Sequence, residues 1–378
     1  MRFNTLYKRN ILYSLTQLPR NSKIAIYGNG MIGRGFRSLL NKNRDDITIV
    51  CYINSSNPEN TDDLDVILVD ELNKKNNSFD TIIVCSSHWN EIEDELSRRG
   101  LEFIIISNQL IFNISELSSL GSFRFETNKL LSIKSRIEKL FPSFDRGSLE
   151  DFKILMDLRL TQDETAIFSF FKNVGKRFKR QYIDNINLKN GSTIIEGGVE
   201  DGTDSVNFYN AFDEFKMNIY GFEPFIEVFD KSPNKAFLLK KGIKVYPWAL
   251  WNKNEDLLFI KNDVSSVSSC IDRNEINIQS STNKVTVPGI SIDSFVEKYN
   301  IKTVSLIKLD IEGAEVEALQ GAAKTISKYK PQLAISIYHK KEDLFEIPEL
   351  LLKINPEYKF KLGMYSPTFI DSVLYAIP

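Results

Sequence analysis

The sequence predicts an α/β protein with two doubly wound sheets, and three observations carry that reading. An apolar β-rich run, a glycine-rich loop and a helical pattern follow one another twice, first over 23–40 and again over 193–205. Short apolar strands then alternate with amphipathic helices after each of these starts. The chain closes with two extended segments, Phe360 to Met364 and Ser372 to Ile377, which predict an antiparallel hairpin finishing the second sheet.

Residues 1–20 place Leu6, Ile11, Leu12, Leu15 and Leu18 at helical spacing. They predict an N-terminal packing or dimerising helix, and so a homo-oligomer through this region. A membrane-surface helix is the alternative, because Arg2, Lys8, Arg9 and Arg20 face no acids.

Residues 21–112 predict a Rossmann-like domain of nucleotide-binding type. Strand Lys23 to Tyr27 leads into Gly28-Asn29-Gly30-Met31-Ile32-Gly33 and a helix through Leu40. Strands Ile47 to Ile53, Thr81 to Cys85 and Phe103 to Ile106 follow, with a helix from Asn90 to Arg99. A dinucleotide site expects a carboxylate at the end of the second strand to hold the ribose, and Cys51-Tyr52-Ile53-Asn54-Ser55 offers none. The domain therefore reads as an assembly module or a site for another small molecule. His88, after the third strand, reads as a loop residue.

Residues 113–185 predict a helical connector, with Phe152, Leu155, Met156 and Leu160 at steps of three and four. The stretch Leu140 to Gly147 breaks the pattern and is the best domain boundary. The basic run Lys176 to Arg180 suits a solvated helix face, or contact with an anionic substrate such as a sugar nucleotide.

Residues 186–378 hold the motifs with the most chemistry. A strand from Thr193 ends in Glu196, and Gly197, Gly198 and Gly202 let the backbone approach a ligand where a Cβ would collide. The following helix N-terminus suits a carboxylate or phosphate. An acid at the strand tip instead repels a polyanion and favours an ammonium or sulfonium. S-adenosylmethionine combines those features; a tight turn without a ligand is the plain alternative. A second strand ends in Glu223, which can accept both ribose hydroxyls of an adenosine, and Pro224 stiffens the turn. Next, Trp248 and Ala249 offer an adenine slot, with a core anchor as the other reading of the tryptophan. An extended segment Val285 to Ile292 and a helix Ser294 to Tyr299 lead to a buried strand that delivers Asp310, with Glu312 on a tight turn and a helix from Gly313. The strand Gln332 to Tyr338 ends in His339.

Taken together, these motifs resemble the FkbM-type S-adenosylmethionine-dependent methyltransferase family over about residues 149–378. The matching pieces are Ile195-Glu196-Gly197-Gly198 with Gly202, Gly221-Phe222-Glu223-Pro224, Ile307-Lys308-Leu309-Asp310-Ile311-Glu312-Gly313-Ala314-Glu315, the Ala334 to Leu344 stretch, and the closing Asp371 to Ala376. The resemblance implies O-methylation, often of sugars in glycans or of secondary metabolites, and hence glycan modification. Glu196 stands where Asp is commoner in the family, and Glu200 where a small or amide residue is more frequent.

The residues expected to bind the cofactor are Glu196, Gly197, Gly198, Gly202, Glu223, Pro224, Trp248 and Ala249. For chemistry, His339 is the first candidate base, since an ordinary imidazole titrates near neutrality. Asp310 is the second, as base or as the group orienting the histidine, with Glu312 beside it. Asp310, Glu312 and His339 could instead bind a divalent metal that acidifies the acceptor hydroxyl, but spacing fixes no ligand geometry and no metal site is assigned.

Composition bounds the partners. A formal net charge of −2 supplies no field for nucleic acid. Cys51, Cys85 and Cys270 are too far apart for zinc or a disulfide framework, which suits a reducing, cytoplasmic setting. No apolar run reaches the length of a membrane span, and no signal peptide is expected. The expected partner is a small molecule or glycan. Two rival functions stay open: a nicotinamide-dependent sugar oxidoreductase or epimerase using Gly28, Gly30 and Gly33, and an inactive glycan-assembly scaffold.

Overall fold

The computed structural model describes residues 11–55, 64–72, 78–86, 89–107, 110–111, 114, 130–161, 180–260, 270–271, 284–365 and 371–378. The chain forms two compact units. The first comprises Met1–Phe123, Thr161–Gly175 and Ser366–Thr368; the second comprises Arg124–Leu160, Lys176–Tyr365 and Phe369–Pro378. Among the described residues, no helix is long and apolar enough to cross a membrane.

The first unit is built on six parallel strands: β1 (Ile11–Leu12), β2 (Lys23–Tyr27), β3 (Thr48–Asn54), β4 (Val66–Leu68), β5 (Thr81–Val84) and β6 (Phe103–Ile106). Their order is β1-β6-β5-β2-β3-β4. Ile24, Ala25, Ile26 and Ile83 are wholly buried, as parallel strands covered on both faces require. Helices Met31–Asn43 and Trp89–Arg99 supply crossovers.

The start of the chain corrects the expectation of a single helix. Ile11 and Leu12 pair with Ile105 and Ile106 as an edge strand. Ser14 then caps a short 3₁₀ turn, Leu15–Gln17, and Leu18 joins the core. The apolar spacing that suggested a helix is met here by an edge strand and one tight turn. Residues 1–10 and His88 lie outside the described residues.

The second unit carries seven strands in the order β16-β17-β15-β14-β7-β8-β9. These are β7 (Thr193–Gly197), β8 (Asn218–Phe222), β9 (Lys244–Tyr246), β14 (Leu306–Leu309), β15 (Gln332–Ser336), β16 (Lys359–Met364) and β17 (Ser372–Ile377). The strands from β15 to β9 are parallel, and β16 and β17 form the expected antiparallel hairpin. The central strands are apolar on both faces, with Ile194, Ile195, Leu306, Ile307, Leu333 and Ile335 fully buried. Two charged residues break that rule, Glu196 and Lys308, and they are register partners on neighbouring strands.

A smaller sheet, not foreseen, joins β10 (Ala249–Leu250), β11 (Glu255–Ile260), β12 (Cys270–Ile271) and β13 (Lys284–Ile290) in the order β10-β13-β11-β12. Helices Leu130–Glu138 and Arg146–Thr161 flank a 3₁₀ turn at Phe141–Ser143. Phe144 bridges to Phe360 and stacks on Phe152 at 4.6 Å, so the Leu140 to Gly147 break lies within this unit. The helix expected from Gly313 begins at Glu315, because Glu312 (φ 55°) and Gly313 (φ 90°) turn the chain through left-handed backbone first.

Candidate active site

A cavity of about 460 Å³ opens beyond the carboxyl ends of β7, β8 and β14. Sheet order reverses between β7 and β14, and ligands of open α/β sheets gather at such a point.

The glycine loop makes one wall. Gly198 lines the cavity with φ 74°, and a Cβ there would stand 1.8 Å from the Asp310 carbonyl oxygen. Glycine is thus required both by conformation and by the close approach of two strand ends. Gly197 and Gly202 do not line the cavity. A Cβ on Gly197 would press on Leu250, Ile311 and Leu309; one on Gly202 (φ 82°) would meet Leu238 at 2.5 Å. Both serve packing.

Glu196 also differs from its expected role. It is fully buried and does not line the cavity. Ser205 donates to its Oε2, while Lys308 Nζ lies 3.9 Å from its Oε1. Burial pushes its carboxyl up to about 7, against the pull of Lys308. The carboxylate that was to face a ligand ammonium instead faces Lys308, an ammonium of the protein itself. Lys308 Nζ reaches Asp204 Oδ2 at 2.9 Å and donates to the Gly198 carbonyl at 2.9 Å. Burial alone would lower its pKa; the carboxylates of Asp204, Glu196 and Asp310 outweigh that and raise it. Lys308 was not singled out from the sequence. A lysine inside an otherwise apolar strand was the available signal, since a buried charge needs partners.

The second strand tip matches its expectation more closely. Glu223, Pro224, Trp248 and Ala249 all line the cavity. The backbone N–H groups of Glu200 and Phe225 donate to Glu223 Oε2 and Oε1, at 3.0 and 2.9 Å, and fix the carboxylate. Burial raises its pKa. Each oxygen accepts one of these bonds and has a second lone pair, which together would suffice for a diol. Trp248 stacks on Tyr246 with ring centres 5.0 Å apart, and Phe222, Phe225 and Phe259 extend the apolar wall.

Asp310 and Glu312, which follow β14, also line the cavity. Tyr182 and Tyr338 donate to Asp310 Oδ2 and Oδ1 at 2.7 and 2.9 Å. Burial would raise Asp310, but His339, Lys308 and the Tyr182 hydroxyl outweigh it and hold the carboxyl below its usual range. Glu312 goes the other way: burial, with Asp310 and Glu315 nearby, pushes it up to about 8.

His339 sits behind these acids and does not line the cavity. Its Nδ1 is 2.9 Å from Glu315 Oε1, and its Nε2 lies 3.5 Å from Asp310 Oδ1 and 3.8 Å from Glu312 Oε2. Burial would lower its pKa; the three carboxylates prevail and push it up to about 10. An imidazolium has no lone pair to take a proton, and the side chain expected as general base faces three carboxylates rather than the cavity. Among the described residues, Asp310, Glu315 and His339 form a group whose ligand atoms lie within 4.8 Å. Glu315 thus takes the place expected for Glu312 in a metal set. The two imidazole nitrogens face different acids, and one ion would use only one of them.

Seven carboxylates line the cavity, with Glu200, Asp201 and Asp204 joining Glu223, Asp310, Glu312 and Asp371. Glu200 (φ 50°), Glu312 (φ 55°) and Asp371 (φ 69°) hold left-handed backbone. Each costs roughly 1–3 kcal/mol, and such strain clusters at functional sites.

The first unit has its own cavity of about 320 Å³ beside Gly28, Asn29 and Gly30, with Asn54, Glu91 and Glu95. A Cβ on Gly33 would lie 1.8 Å from the Gly28 carbonyl oxygen, so the spacing closes loop onto helix. The strand tip expected to carry a ribose acid presents Asn54, which donates to Asn29 Oδ1 at 2.8 Å.

A glycine loop after the first strand, an acid after the second and a closing antiparallel hairpin define a methyltransferase fold. Residues 196–362 match the model of the methyltransferase FkbM domain. Residues 20–108 match the model described as C2185-like, N-terminal. A crystal structure of methyltransferase FkbM from Methylobacillus flagellatus KT is similar at TM-score 0.59 and 17% identity, over 94% of this chain and 90% of that one. That likeness shows the fold. Two further structures align at TM-score 0.30 and 11% identity each. Aeropyrum pernix fibrillarin with natively bound S-adenosyl-L-methionine covers 52% of this chain and 70% of its own; a putative caffeoyl-CoA O-methyltransferase from Staphylococcus aureus covers 60% and 98%. No curated protein matches the chain.

Proposed function

We propose that the second unit binds S-adenosylmethionine in the acidic cavity and directs its methyl group to an acceptor hydroxyl, most simply that of a sugar or glycan. The observation that carries this reading is Glu223. Two backbone N–H groups hold it at a strand tip, between the Gly198 loop and the Trp248 wall. A ribose diol suits that carboxylate, and an adenine suits the apolar wall. The Gly198 cradle leaves room for the amino-acid end, and the acidic lining suits a sulfonium.

S-adenosylmethionine supplies an electrophilic methyl group on sulfur. The residues of the protein have three tasks: to hold the acceptor hydroxyl in line, to exclude water, and to take the hydroxyl proton. With the cofactor bound, its methyl group would pass from sulfur to the acceptor oxygen, a neutral thioether would leave, and the hydroxyl proton would pass to a carboxylate of the cavity. Glu312 is the best placed base, because it lines the cavity and its pKa, about 8, lies near working pH. Asp310, held low by its partners, orients rather than accepts. The buried free thiols Cys51 and Cys85 suit a cytoplasmic setting.

Calorimetry with S-adenosylmethionine and with NAD tests the reading. Binding of S-adenosylmethionine alone, lost with Glu223→Ala, supports it. Binding of NAD alone would favour the oxidoreductase, and binding of neither the scaffold.

A further inference from the structure

We infer that Tyr182 is a positioning residue for the cofactor, acting through Asp310, whose carboxylate it holds for the positively charged end of S-adenosylmethionine; this rests on the methyltransferase reading above. Tyr182 precedes β7 and stands outside residues 196–362, which match the family model. It is buried and does not line the cavity. Its hydroxyl nevertheless donates to Asp310 Oδ2 at 2.7 Å, and Asp310 does line the cavity. A hydroxyl has one hydrogen and two lone pairs. Gln181 Nε2 donates to this one at 3.1 Å, which leaves the tyrosine hydrogen for Asp310. Gln181 also donates to Asp371, a second carboxylate of the lining.

The ring of the same side chain carries the Lys308 ammonium 4.8 Å from its centre, so Tyr182 meets both charged groups at the end of β14. It does so from left-handed backbone (φ 61°), which a bulky side chain rarely adopts. Tyr338 takes the other oxygen, Asp310 Oδ1, at 2.9 Å, so both oxygens have hydroxyl donors. Against burial, His339, Lys308 and the Tyr182 hydroxyl keep Asp310 an anion. Burial instead pushes Glu312 and Asp371 up, to about 8 and about 6, so Asp310 is the firmest anion of the three. It is also anchored beside the glycine loop. Its N–H donates to the Gly197 carbonyl at 3.2 Å, and its own carbonyl abuts Gly198, where the amino-acid end of the cofactor is placed. A carboxylate fixed there gains charge-assisted contacts with a cation.

The test is calorimetry on the full chain with S-adenosylmethionine and with adenosine, which lacks both the ammonium and the sulfonium. Tyr182→Phe keeps the ring beside Lys308 and removes only the hydroxyl. It should weaken S-adenosylmethionine binding about tenfold and leave the Kd for adenosine within about twofold. Added to Asp310→Asn, the same change should cost less than about twofold more, because the charge it positions is already gone. A Kd for S-adenosylmethionine within about twofold of wild type would overturn the inference. So would an equal loss for both ligands, which would mark a general loosening of the cavity, or a further loss of about tenfold in the Asp310→Asn chain. Failure of Tyr182→Phe to fold would make the hydroxyl a structural tie and overturn it too. Absence of S-adenosylmethionine binding by the wild type would sink the methyltransferase reading, and this inference with it.

Discussion

The Lys308 ammonium lies 2.9 Å from the Asp204 carboxylate, at the end of a strand that also presents it to Glu196. Lys308 also holds the Gly198 carbonyl, so one buried charge ties β14 to the glycine loop of β7. Lys308→Met should cost about 3–5 kcal/mol of stability, because it strands two carboxylates beside an apolar sheet. Urea unfolding at pH 7 measures this; a loss under about 1 kcal/mol would show that the ammonium is not holding the loop.

Glu196 gives that network a pH signature. Its folded pKa is raised, from 4.5 to about 7. Its contribution to stability is therefore full below the unfolded value and lost as pH climbs from about 4.5 to 7. Glu196→Gln keeps the shape and removes the titration. The wild-type Tm should fall relative to the variant across that window and run parallel to it above. Parallel curves throughout would mean that Glu196 does not titrate there.

Glu223→Ala should weaken S-adenosylmethionine binding by about one to two powers of ten, the worth of hydrogen bonds to a charged acceptor. It also leaves the Glu200 and Phe225 N–H groups without their acceptor. Calorimetry reads the affinity, and an unchanged Kd would remove Glu223 from the ribose site.

For the proposed base, kcat/KM should rise with pH and level off near the Glu312 pKa of about 8. Glu312→Gln should lose about 10²–10⁴-fold in turnover and flatten this limb. His339→Asn has a separable effect. Its positive charge lowers Glu312, so its removal should move the limb to higher pH without abolishing turnover. If His339→Asn instead flattens the limb, the histidine is the base after all.

Much of this architecture was legible because the apolar runs are short, β-rich and punctuated by glycine or acid. The strand Phe103–Ile106 and the closing hairpin emerge almost residue for residue. The site was legible where a residue's role is to face the cavity, as with Glu223, Asp310 and Trp248. It was not legible where the role depends on neighbours across the sheet. Glu196 and its lysine are 112 residues apart in sequence but opposite in register. His339 looked like a base because an isolated imidazole is one, and only three surrounding carboxylates change that. Strands β1 and β10, two residues each, are too short for any periodicity to mark.

Asp371 lines the cavity just before β17, whereas the Gly198 loop and Glu223 follow β7 and β8. Asp371 and the carboxylate proposed to hold the ribose thus sit on separate stretches of chain. An exchange of β17 together with Asp371 between related proteins would replace that carboxylate while leaving the Gly198 loop and Glu223 as they are.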